Sequence, residues 1–219
     1  MNGKKIDFII CTNDSRQFEE ACLYIHHLEI PQGYEVSILE IRDATSIFSG
    51  YNEGMNASDA KYKVYMHHDV RIIDRNFLYV MLDKFQDPAV GMIGAVGSTF
   101  LRVQPWGWDS GAIVETTIND THFVRFSEED RVVKQIDGLL MATQYDLPWR
   151  EDWFIGWDIY DRSQCCEFMR AGYKILVPKQ VQPLCLHDCG ALDLSNYAQA
   201  HEAFLRHYAD MIERNVNTK

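Results

Sequence analysis

Apolar and polar positions follow two alternating rhythms through the N-terminal half of the chain. An apolar run over 6–11, interrupted by Asp7, reads as a strand, and the Thr12-Asn13-Asp14-Ser15 cluster after it can end that strand and cap a helix. Phe18, Cys22, Ile25 and Leu28 then recur about once per helical turn until Pro31 and Gly33 close the segment. Alternation returns over 35–41, a helix is predicted over 46–60 despite Gly50 and Gly54, and 63–66 forms a third strand that runs into His67-His68-Asp69. Helical spacing through Phe77, Val80, Met81 and Phe85 marks 76–85, and a glycine-rich apolar run over 90–96 marks a fourth, buried strand. Strands alternating with helices predict a parallel α/β sheet.

The rhythm changes over 97–136, where short β-prone pieces at 111–117, 122–126 and 132–136 are separated by turn residues, the pattern of a small antiparallel insertion. It opens on Gln104-Pro105-Trp106-Gly107-Trp108, whose indoles suit either core packing, the commoner use, or stacking on a ligand ring. An apolar strand follows over 137–143, a helix over 160–171 stopped by Gly172, a strand over 174–177 ended by Pro178, and a long helix over 193–214. No repeat or linker divides the chain, so a single domain over 1–219 is expected.

Charge narrows the function. Twenty-one Lys and Arg face thirty-two Asp and Glu, a net charge of −11, which leaves no broad cationic face for a nucleic acid. A nucleotide can still bind if a metal ion or local donors offset its phosphates. The apolar run near the N-terminus is too short for a signal peptide or a membrane span, so a cytoplasmic location with free thiols at all six cysteines is expected.

Open parallel sheets bind ligands beyond the carboxyl ends of their strands, which here are Thr12-Asn13-Asp14, Arg42-Asp43 and His67-His68-Asp69. Two imidazoles and a carboxylate directly after a strand form a compact ligand set, or else a solvated polar loop. Cys185-Leu186-His187-Asp188-Cys189 suggests zinc, but its spacing and the lack of a second cysteine pair fit a structural site poorly. His187 as a single ligand, sharing an ion with Asp69, fits better. Asp158 and Asp161 lie three apart where a helix begins, a spacing that serves capping as readily as general-base work. The segment from Trp149 to Trp153 carries the same two readings.

Several segments in order carry a resemblance. They are Phe8-Ile9-Ile10-Cys11-Thr12-Asn13, then Tyr51-Asn52-Glu53-Gly54-Met55-Asn56-Ala57 leading through Lys61 to Met66, then His67-His68-Asp69, then Asp137-Gly138-Leu139-Leu140-Met141-Ala142-Thr143, then Asp161 through Glu167 to Arg170-Ala171-Gly172-Tyr173-Lys174-Ile175. Together they resemble the family 2 glycosyltransferases of GT-A fold, with His67 where that family has the first aspartate of its Asp-any-Asp motif. The His-His-Asp variant, Gly156-Trp157-Asp158 and the His187-Asp188-Cys189-Gly190 ending look most like the branch named for streptomycin biosynthesis, found in bacterial polysaccharide and antibiotic loci.

The resemblance implies a mostly parallel sheet flanked by helices, with a small antiparallel β insertion. It also implies inverting transfer of a sugar from a nucleotide-diphosphate donor to a carbohydrate or glycolipid acceptor. Thr12, Asn13, Asp43, Asn52, His67 and His68 would face the donor, and Asp69 and His187 would hold Mn²⁺ or Mg²⁺. Asp161 would be the base with Asp158 in reserve, and Trp106, Trp108, Asp137, Gly138 and Trp157 would face the acceptor. Two rivals are a binding domain on the same fold without turnover and a nucleotidyltransferase, although Thr12-Asn13-Asp14-Ser15-Arg16 lacks a phosphate loop's glycines. A homo-oligomer stays open.

Overall fold

A computed structural model of the chain describes residues 1–101, 108–117, 121–125, 129–190 and 194–216. Its first half is β1 (Asn2–Cys11), α1 (Ser15–His26), β2 (Glu35–Ile41), α2 (Ile47–Ala57), β3 (Ala60–Met66), β4 (Val70–Ile72), α3 (Phe77–Lys84), β5 (Val90–Gly94) and β6 (Val96–Ser98). There follow β7 (Ser110–Thr117), β8 (Thr121–Arg125), β9 (Arg131–Val133), β10 (Gln135–Ile136), β11 (Leu140–Thr143), α4 (Tyr160–Arg170), β12 (Lys174–Val177), β13 (Cys185–Gly190), α5 (Tyr197–His207) and α6 (Ala209–Val216).

Local chemistry sets the boundaries of the first helices. The Asp14 carboxylate accepts the N–H groups of Arg16 and Gln17 at the start of α1, and Ser46 and Ser49 close a reciprocal capping box on α2. A Cβ at Gly54 would collide with the Ile9 side chain, so glycine is what lets α2 lie directly on β1. The helix is therefore glycine-bearing because it is close-packed.

Seven strands form the main sheet in the order β2-β1-β3-β11-β5-β12-β9. β2, β1, β3, β5 and β12 run one way, while β11 and β9 run against them. The two-residue period of β1 sends Ile6, Phe8 and Ile10 to one core with α1 and α3, and Ile9 and Cys11 to the other with α2, α4 and α5. Both faces are covered, which is why the strand reads as a nearly continuous apolar run.

The 97–136 stretch supplies antiparallel pieces, but they are not self-contained. β9 pairs with β12 at the edge of the main sheet, and β10, β6 and β7 build a second sheet with β13 and β4, with β8 on β7. The expected single strand over 90–96 divides at Ala95 so that its second part serves this sheet. The expected continuous helix over 193–214 is instead α5 and α6, broken at Tyr208. Tyr208 is fully buried, and its hydroxyl reaches Ser163 Oγ at 3.0 Å and the Glu167 carboxylate at 2.9 Å, so the break seats this ring on α4.

Candidate active site

β1, β2 and β3 are parallel neighbours, so their carboxyl ends bring Thr12, Arg42 and His67 to one edge of the sheet. A cleft of about 530 Å³ opens there, lined by Thr12, Asn13, Asp43, His68, Asp69 and Trp157 among others, and floored by Tyr51 and Tyr160. Thr12 Oγ1 and His68 Nδ1 share a hydrogen bond of 2.8 Å that ties the ends of β1 and β3 together. Asp43 takes a left-handed backbone, φ 57°, in the turn after β2 and stands exposed at the rim.

The deepest chemistry lies where the two sheets meet. β3 passes through His67-His68-Asp69 directly into β4, and β4 pairs antiparallel with β13, setting His187 opposite Val70. Asp69 Oδ1 lies 3.7 Å from His67 Nδ1 and 3.6 Å from His187 Nε2. One ligand atom from each of the three residues lies within 4.8 Å of the others, so small side-chain adjustments would bring them onto one divalent cation. Asp69 Oδ1 is buried with no hydrogen-bond partner, a costly state for a carboxylate oxygen that a cation would relieve.

The imidazoles differ in their surroundings. Burial lowers the His67 pKa despite the pull of Asp69, so its ring is neutral at pH 7 and keeps a lone pair for a metal, while Nε2 is bonded to the Tyr160 hydroxyl. For His187 burial also opposes the charge, but the carboxylates of Glu115, Asp69 and Asp137 outweigh it and raise the pKa. Negative charge thus concentrates on this spot.

The turn into α4 is strained. Ile159, buried and β-branched, is held at φ 64°, a conformation costing on the order of 1–3 kcal/mol, and it delivers Tyr160 to the cleft and Asp161 to the first turn of α4. Asp161 accepts the Arg162 N–H at 2.7 Å and also the Gly138 N–H. Burial pushes its pKa up to about 6, with Arg162 opposing and Asp137 adding to the rise. Asp158 is partly buried one turn earlier, and neither it nor Asp161 is among the residues lining the cleft, which Tyr160 reaches between them.

Several expected contacts fall elsewhere. Asn52 does not face the cleft, because its amide donates to Trp149 O and accepts from Trp149 N, both at 2.9 Å, pinning α2 to the buried Trp149. Asn52→Ala is expected to destabilise the fold by about 2–4 kcal/mol in urea titration by leaving two buried backbone groups unpaired, with nucleotide affinity of the folded protein close to the parent's. Trp108 packs against the first core rather than presenting a free face, and Trp106 lies outside the described residues. Trp157 is 53% exposed but lines the same cleft as the donor-side residues.

Gly138 is buried under Tyr160, where any Cβ would strike the phenol, and Asp137 Oδ1 accepts the Leu139 N–H at 3.0 Å. The Gly138 backbone is therefore a seat for Tyr160 and not an open acceptor surface. Gly138→Ala should cost about 1–3 kcal/mol in the same titration by pushing the ring aside. His67, one of the two imidazoles expected to form a ligand set with Asp69, converges on Asp69 together with His187. Glu115 joins without a signal in the pattern, because it reaches His187 only through the β7–β13 register.

The fold is of GT-A type. The likeness to solved structures is to a mannosyltransferase from Pyrobaculum calidifontis in complex with GDP-Man and Mn²⁺ (TM-score 0.62, 14% identity, 97% of this chain and 65% of that one). It extends to S. aureus TarS 1–349 in complex with UDP (0.62, 9%, 97% and 71%) and to GalNAc-T7 with UDP, GalNAc and Mn²⁺ (0.63, 9%, 96% and 50%). The chain thus spans about two thirds of the first and half of the last. No curated protein matches its sequence. Residues 7–208 match the model described as "Glycosyltransferase like family", and the chain belongs to that family.

Proposed function

We propose that the chain transfers a sugar from a nucleotide-diphosphate donor to an acceptor hydroxyl with inversion, and that it does so with a divalent cation. The observation that carries this is the unpartnered, buried Asp69 oxygen facing two imidazoles at the edge of a nucleotide-sized cleft. Asp69, His187 and His67 would hold the ion, and the two nitrogens favour Mn²⁺ over Mg²⁺. A cation bound there offsets the charge of a diphosphate as it leaves. Without it, Asp43 and Asp69 would repel the donor.

Thr12, Asn13 and Asp43 line the cleft and would face the nucleoside, with His68 beside them through its bond to Thr12. Asp161 takes the proton of the acceptor hydroxyl. A carboxyl group held near 6 is mostly ionised at pH 7, yet more basic than an ordinary aspartate. Asp158 remains the alternative base, and Trp157 offers an exposed indole face for a sugar ring. An acceptor that is a carbohydrate or glycolipid of bacterial polysaccharide or glycoconjugate synthesis, and a cytoplasmic site of action, go with the streptomycin-type resemblance. Among the described residues no helix is long and apolar enough to cross a membrane.

The binding-only alternative drew on the missing first aspartate of the metal motif. His67 offers a ligand atom at that place, which supports a metal site without that aspartate. A thermal-shift panel tests the proposal. UDP or GDP should raise the melting temperature more with Mn²⁺ than without it, because a ligand that binds only the folded state stabilises it by mass action. A panel in which no nucleoside diphosphate shifts the transition would remove the donor assignment.

A further inference from the structure

His187 has two ring nitrogens facing two different donor sets. Nε2 points to Asp69, as above, whereas Nδ1 lies 3.7 Å from the Glu115 carboxylate, beyond hydrogen-bond reach. That nitrogen is buried without a hydrogen-bond partner in a residue only 8% exposed. The register explains the grouping. Parallel pairing of β13 with β7 sets Glu115 beside His187, and Cys189 follows two residues on, where the register shifts between Asp188 and Gly190. One ligand atom from each of Glu115, His187 and Cys189 lies within 4.8 Å of the others, close enough for small rotations to bring them onto one ion.

We propose that Glu115, His187 Nδ1 and Cys189 form a second metal site, selective for a thiophilic ion such as Zn²⁺, and that its occupation antagonises the first. Thiolate, imidazole and carboxylate make a set that suits tetrahedral zinc with an open fourth position, whereas the first site has no sulfur. On binding, the Cys189 thiol releases its proton to solvent and its sulfur becomes the third ligand. A neutral imidazole has one lone pair, at Nδ1 or at Nε2 according to tautomer. Zinc on Nδ1 therefore leaves a proton on Nε2, turned towards Asp69, and His187 serves one ion at a time. The second site stands on its own donors, and only the antagonism rests on the proposed function.

Cobalt(II) is the probe, added to the reduced, EDTA-stripped chain. A thiolate-to-cobalt charge-transfer band in the near ultraviolet should saturate at one ion and be displaced by Zn²⁺. The band should vanish in Cys189→Ser, need about tenfold more cobalt or greater in Glu115→Gln, and persist in Asp69→Ala. Saturating Zn²⁺ should lower the Mn²⁺-supported affinity for UDP by about tenfold or more in the parent and leave it unchanged in Cys189→Ser. The absence of a thiolate band in the parent, or a band that survives Cys189→Ser and so comes from another cysteine such as the partly exposed Cys22, would overturn the site. A band with the expected variant pattern in a chain whose UDP affinity never responds to Mn²⁺ would uphold the second site and sink the donor reading instead.

Discussion

Asp161→Asn should lower sugar transfer by about 10²-fold or more while nucleoside-diphosphate affinity stays close to the parent's. The amide oxygen can still accept the Arg162 and Gly138 N–H groups that hold the carboxylate, so the first turn of α4 keeps its geometry. What the variant loses is proton affinity. The same change should stabilise the fold at neutral pH. Burial raises the folded-state pKa from an ordinary 3.8 to about 6, so the folded chain binds the proton more tightly than the unfolded chain. The resulting stability is fully present below pH 3.8 and is lost as pH rises through about 6.

Above that window the parent carries an ionised, partly buried carboxylate that the variant lacks, a difference of roughly 1–3 kcal/mol at pH 7. Urea titrations at pH 4 and pH 7 should therefore separate parent and variant only at the higher pH. Parent activity should rise on the acid side with a midpoint near 6, the value burial gives Asp161. A folded Asp161→Asn with ordinary transfer would remove this residue as the base. If Asp158→Asn shows the loss instead, the role moves one helical turn.

The second large effect concerns His67. His67→Ala is expected to weaken Mn²⁺ binding by about 10²-fold or more through loss of one of three donors, whereas His67→Asp should retain a metal site and shift its preference towards Mg²⁺. Exchanging nitrogen for oxygen hardens the site, and it restores the carboxylate that the family resemblance expects at this position. Isothermal titration with each ion decides it. Equal Mn²⁺ affinity in the parent and His67→Ala would mean that His67 is only the hydrogen-bond partner of Tyr160.

Elements whose burial follows a simple period were legible in the sequence. The alternation over 35–41 is β2, and the helical spacing bounded by Asn76 and Phe85 is α3, with those two residues as its caps. The strand-end rule likewise points to Thr12, Asp43, His68 and Asp69, which line one cleft. What escaped depends on partners remote in sequence. β4 has three residues, too few for a period, and exists because β13 pairs with it. Asn52 sits in a segment that resembles donor-binding helices, yet its amide is occupied by the backbone of Trp149, 97 residues away. The break at Tyr208 depends on contacts with Ser163 and Glu167, and Glu115 meets His187 only through register.

The central claim is that Asp69 couples a divalent cation to a nucleoside diphosphate in the cleft beyond β1, β2 and β3. Calorimetric titration of UDP and GDP into the parent and into Asp69→Ala, each with and without Mn²⁺, tests it most directly. At least one diphosphate should bind the parent about tenfold or more tightly with Mn²⁺, and the two conditions should converge in Asp69→Ala. Diphosphate binding by the parent that is indifferent to Mn²⁺, or a Mn²⁺ enhancement that survives in folded Asp69→Ala, would contradict it.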